Sequence, residues 1–152
     1  MKITRNAGET ALGPSDWFTG AVYIDAVATP TDSSRMTASS VHFTPGARTA
    51  WHTHPNGQTI YVLEGVGLAQ RRGGPIEVIR PGEWQGMTAG TGILHSEFNP
   101  SATGATHLLQ IWIMPDRKGH TPGYRQTAFA ADGAAGRWQL VASPDGAEGS
   151  LP

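Results

Sequence analysis

Apolar residues along this chain fall in short alternating runs, not in helical stripes. GAVYIDAV at 20–27, MTASSVHFT at 36–44, TIYVLE at 59–64, IEVIR at 76–80 and ATHLLQIWIM at 105–114 each place apolar side chains on every second position. That period is the strand period, with one face toward a core. Shorter runs at 66–71, 84–88 and 92–98 fit the same reading, and further strands are predicted at 124–129 and 136–142. Between them stand Pro45-Gly46, Pro55-Asn56-Gly57, Arg72-Gly73-Gly74-Pro75, Pro81-Gly82, Asn99-Pro100 and Pro144-Asp145-Gly146. These are turn residues for a mechanical reason: glycine reaches positive φ and proline fixes its own. Many short strands at a spacing of about 8 to 12 residues predict an all-β protein, closed into a barrel or folded as two sheets so that few edges are exposed.

Composition narrows this further. With 20 glycines and 11 prolines in 152 residues, long helices are disfavoured. The length suits one domain with a real core. Past Pro115 the sequence grows richer in Asp, Gly, Ala and Pro and ends in SPDGAEGSLP, so the expected division is a barrel over 1–115 and an irregular C-terminal extension over 116–152 that packs on the same domain. There is no cysteine, which excludes disulfides, thiolate metal sites and a cysteine nucleophile. Any metal must take nitrogen and oxygen ligands. The formal net charge is -1, without the basic footprint of a nucleic-acid or anionic-membrane binder. The N-terminus has no apolar signal core and no stretch is long enough to span a membrane, so the expected location is the cytoplasm.

The chemistry gathers in two places. In Trp51-His52-Thr53-His54-Pro55-Asn56-Gly57-Gln58, His52 and His54 are two apart and share one face of a strand. Gln58, beyond the turn, can return an amide oxygen to the same space. In Leu94-His95-Ser96-Glu97, the i, i+2 relation recurs with one imidazole and one carboxylate. Three histidines with Gln58 or Glu97 make a donor set for one divalent ion, Mn, Fe, Ni, Co or Zn, with positions left for water or substrate.

These same residues carry a family resemblance. Gly46, the His52-x-His54 pair, Gln58 where an acid is usual, and Gly65 resemble the first cupin motif; Gly82, His95 and Asn99 resemble the second. The resemblance implies a single cupin jelly-roll β-barrel with the metal inside. Residues from about 16 to 82, including FTPGARTAWHTHPNGQT, are similar to bacterial cupin-type hydroxynitrile lyases, and imply His52, His54, Gln58 and His95 as ligands. From residue 60 onward, IYVLEG, MTAGTGILHSEFNPS, HLLQIWIMPD and LVASPDGAEGS resemble the N-terminal domain of bacterial pirins. That half implies His52, His54, His95 and Glu97, and a pirin-like extension. The implied activities are cleavage or synthesis of cyanohydrins, quercetin 2,3-dioxygenation, or a metal-binding scaffold without strong catalysis in a recombined or designed mosaic. In the lyase family the position of Glu97 usually carries a histidine for acid-base work.

Further candidates surround this set. His107, opening the HLLQIWIM run, can face the barrel interior as a general base, and His42 or Gln110 can line the same pocket. With Glu97 these give the catalytic candidates His107, Glu97 and His42. His120 sits in a Gly- and Pro-rich loop and is expected to be solvated. Trp51, Trp84 and Trp112 are expected as core or pocket wall, and Arg71, Arg72 and Arg80 as a solvated face. The expected partners are a small-molecule substrate and further copies of the chain, in a homodimer or a higher homo-oligomer.

Overall fold

The computed structural model describes residues 8–32, 34–129 and 136–151. Among the described residues thirteen strands, numbered in chain order, form two antiparallel sheets. The larger runs β1 (Ala11–Leu12), β3 (Val22–Ala28), β4 (Met36–Phe43), β12 (Thr106–Ile113), β7 (Gly57–Glu64), β10 (Glu83–Thr88) and β13 (Gly123–Ala128). The smaller runs β2 (Phe18–Thr19), β5 (Arg48–Thr49), β11 (Leu94–Phe98), β8 (Gly67–Arg71) and β9 (Ile76–Ile79), with β6 (His52–Thr53) also paired to β11. The chain crosses between the sheets at nearly every turn from β4 to β12, which is the jelly-roll barrel of the cupins.

The alternation seen in the sequence is what buries the core. On β7, Gln58, Ile60 and Val62 are buried while Thr59 and Tyr61 are only partly covered. Val22, Val41, Phe43, Ala47, Ile60, Val62, Ala69, Ile79 and Leu108 pack as one cluster between the sheets. Covering a Val, Leu, Ile or Phe side chain contributes about 1.5–3 kcal/mol, so this cluster is the main source of cohesion. It fills one end of the barrel, leaving a void of about 10 Å³ between Phe43, Ile60, Leu108 and Glu97, room for one water at most. The other end is polar. The register aligns Gln58 with Trp112 and with Met87, and Met87 with Tyr124, so these four point inward there.

Two locks set this geometry. Gly65 turns β7 into β8 at φ 75°, and a Cβ there would stand 2.4 Å from the carbonyl of Ala105, so only glycine fits. Asn99, fully buried, donates through Nδ2 to the carbonyls of Phe43, Thr44 and Gly104 at 3.0, 3.1 and 2.9 Å, and accepts from the Ser101 amide at 3.0 Å. It ties the end of β4 to the loop that leads into β12.

The strand expected at 136–142 does not form. Among its described residues only Ala142 makes a bridge, to Leu151, and Trp138 is fully exposed. Leu151 instead rests on Gly86 of β10, on the outer face of the large sheet. β10 already has β7 and β13 on its two sides, so the segment finds no free backbone edge to join there. Alternation without an available edge does not make a strand. Among the described residues no helix is long and apolar enough to cross a membrane.

Candidate metal centre

Local pairing brings the two histidine clusters together. β6 pairs with β11 so that His52 faces His95 directly, with Thr53 opposite Leu94. The ring centroids of His52 and His95 lie 4.4 Å apart, those of His52 and His54 4.6 Å, and those of His54 and His95 5.0 Å. One ring nitrogen from each comes within 4.8 Å of the others. Nδ1 of His52 donates to the carbonyl of Ala50 at 2.8 Å, which fixes the tautomer and turns the Nε2 lone pair inward. That Nε2 stands 2.9 Å from Nε2 of His54. Nε2 of His95 is buried and has no hydrogen-bond partner. A buried unpaired polar atom costs about 1–3 kcal/mol, and a bound cation offsets it, so the donor set fits a divalent metal.

Electrostatics prepare the same site. Burial, then the neighbouring His52 and His95, lowers His54 to a pKa of about 4. Burial likewise lowers His95, against the opposing pull of Glu97. Both are therefore neutral at pH 7, the form that ligates. Glu97 is fully buried; burial works to raise its carboxyl, but His95, His52 and hydrogen bonds from Gln58 and Thr49 together hold it below the ordinary value. Its oxygens lie 3.5 Å from His95 Nδ1 and 3.9 Å from His52 Nε2.

Gln58 is buried beside Glu97. Its Nε2 donates to Glu97 at 2.8 Å, while its oxygen accepts from both Gln110 Nε2 and Trp112 Nε1, each at 2.8 Å. Gln58 thus holds Glu97 in place from β7. Thr49 completes the carboxylate's shell through Oγ1 at 3.1 Å.

His42 and His107 lie elsewhere. They pair across β4 and β12, out of phase with inward-facing Val41 and Leu108, and so occupy the outer face of the large sheet. Their rings stack at 3.8 Å, and His107 Nε2 is 2.8 Å from the Ser40 hydroxyl. The sheet separates them from the trio, so the interior role expected for them is not what the register allows. Gln110 and Trp112 do line the interior. His120 pairs with Asp116 at 2.7 Å in an exposed loop. Arg71 is exposed, as expected, and the β8–β11 register places it opposite His95.

The Pirin family profile matches residues 18–113. The chain belongs to the pirin family of cupins. This pirin-family chain is 47% identical over 106 residues to an (R)-mandelonitrile lyase from Granulicella tundricola, covering 62% of this chain and 81% of the lyase. It is 50% identical over 101 residues to the quercetin 2,3-dioxygenase of Escherichia coli, covering 66% of this chain but only 42% of that enzyme. It superimposes on YhhW from Escherichia coli with a TM-score of 0.79 and 36% identity, over 97% of this chain and 64% of the other. YhhW has also been solved as a bacterial pirin in complex with nickel(II), to which the TM-score is 0.76 at 35% identity, over 93% of this chain and 62% of that one. A cupin-like protein from Thermotoga maritima shares the fold, with a TM-score of 0.64 at 24% identity over 86% of this chain and 93% of that one.

Proposed function

We propose that His52, His54 and His95 hold one divalent metal ion, with Glu97 beside it, and that the site cleaves or forms cyanohydrins. The observation that carries this is the grouping of three imidazoles, His54 and His95 held neutral by burial, with a buried carboxylate held ionised 3.5–3.9 Å from His95 and His52. A bound divalent ion supplies Lewis acidity toward a substrate oxygen. Glu97 is then the group to take the hydroxyl proton as the bond to cyanide breaks, leaving an aldehyde or ketone. Gln58 and Thr49 keep its lone pairs aimed. The apolar cluster below excludes water, and the partly exposed His52 marks the side from which substrate enters. The lyase reading is preferred because the similarity reaches across 81% of the mandelonitrile lyase.

A second reading, oxygenation of a flavonol such as quercetin, is favoured by the His95-Ser96-Glu97 run and by 50% identity to the dioxygenase. Benzaldehyde release from mandelonitrile, run beside loss of quercetin absorbance in air, separates the two on metal-loaded protein. Release that disappears in Glu97→Gln supports the lyase. Quercetin loss alone supports the oxygenase, and silence in both with metal bound supports a scaffold.

A further inference from the structure

Arg71 is the last residue of β8 and pairs with His95. Residues paired across antiparallel strands share a face, so the Arg71 side chain leaves the sheet on the side where the histidine trio stands. Ala69, two residues earlier and buried in the core, confirms that parity. The guanidinium carbon lies 5.2 Å from the ring centroid of Tyr124. Tyr124 comes from the opposite sheet, in register with Met87, which itself pairs with Gln58, and its hydroxyl accepts from Gln85 Nε2. The Arg71–Tyr124 contact therefore spans the polar end of the barrel beside the trio.

Among the described residues no carboxylate is within ion-pair distance of Arg71, and its side chain makes no hydrogen bond. Glu97 at this end is already bound by Gln58 and Thr49, and Glu77, in register with Ala69 and close enough to act on Tyr124, forms no ion pair with Arg71. A tyrosine face holds a guanidinium flat, reducing the rotamer freedom lost on binding, and leaves the planar fork of N–H donors at the ring's edge free for a bidentate acceptor. An arginine oriented this way beside a metal site, with its donors unused, is poised for a ligand's anion.

We propose that Arg71, backed by Tyr124, is the specificity-determining residue of this site and selects planar substrates that carry an anionic oxygen, a carboxylate or a phenolate, alongside the oxygen that reaches the trio. The inference rests on the reading of the trio as the reactive centre. It applies equally to a cyanohydrin or a flavonol bearing such a group, and it assigns neutral substrates no help from Arg71.

The test is calorimetric titration of the full chain with benzoate, 4-nitrophenolate at pH 8 and neutral benzamide, in nickel-loaded and chelator-treated protein. The expected result is that at least one anion binds tenfold or more tightly than benzamide. The tighter of the two anions identifies the preferred group. Arg71→Gln should abolish the preference while nickel content stays unchanged, and Arg71→Lys should keep part of it. Equal binding of all three probes by the wild type, or a preference that survives in Arg71→Gln, overturns the proposal. Failure to retain nickel in the wild type would count against the metal reading, while the preference in chelator-treated protein still decides the role of Arg71.

Discussion

Replacing Gln58 with glutamate changes one NH₂ for one oxygen and tests the whole arrangement around Glu97. The two acceptor contacts from Gln110 and Trp112 survive, but the donor that stood 2.8 Å from Glu97 is gone. Two carboxylates now face each other, both in positions at most 4% exposed. The lost hydrogen bond to a charged acceptor is worth about 1.5–3 kcal/mol. Like charges about 4 Å apart at an effective dielectric near 20 repel by about 4 kcal/mol, which raises the pair's upper pKa by about three units. Because that folded-state pKa is raised, the pair does no harm while it keeps its shared proton and becomes destabilising as pH rises through the raised value. Urea unfolding of metal-free Gln58→Glu and wild type, followed by tryptophan fluorescence, should show a stability gap that widens by about 3–4 kcal/mol between pH 5 and pH 8. A gap of the same size at both pH values would refute contact between residues 58 and 97. Nickel should narrow the gap at pH 8, since a cation beside the pair offsets its repulsion.

The remaining predictions concern the ligands, the outer histidines and the Asn99 lock. Depression of His54 to about 4 means its contribution to metal-free stability is full above pH 6.5 and is lost as pH falls toward 4, by on the order of 3 kcal/mol at most. A flat stability profile from pH 7 to 4.5 would contradict the burial argument. His95→Ala should lower nickel affinity at least 100-fold with the far-ultraviolet circular dichroism unchanged, because it removes a nitrogen that the fold leaves unpaired. His42→Ala and His107→Ala should leave nickel stoichiometry at the wild-type value; loss of metal in either would contradict their outer-face placement. Asn99→Ala strands three backbone carbonyls and the Ser101 amide, and should cost about 2–4 kcal/mol in urea unfolding.

The sequence by itself determined the fold class and the histidine trio. Both are local matters: strand alternation is a period of two, and His52-x-His54 and His95-x-Glu97 are two-residue relations that put side chains on one face wherever the strand goes. The turns between strands were equally legible, since glycine and proline act through their own backbone. Tertiary structure decided everything that depends on which strand lies beside which. Periodicity divides His107 from Leu108 and His42 from Val41, but not which of each pair faces inward; packing of Val41, Phe43 and Leu108 around Ile60 and Val62 sent both histidines outside. Gln58 is a plausible oxygen ligand in sequence, and only Gln110 and Trp112, more than fifty residues away, take up its oxygen and turn its amide to Glu97. Arg71 reads as a solvated charge and is exposed, but only the β8–β11 register puts it opposite His95. Register is set by the summed burial of both sheets, a non-local quantity, and that is why residues chosen one strand at a time gave the clustered histidines but not the company they keep.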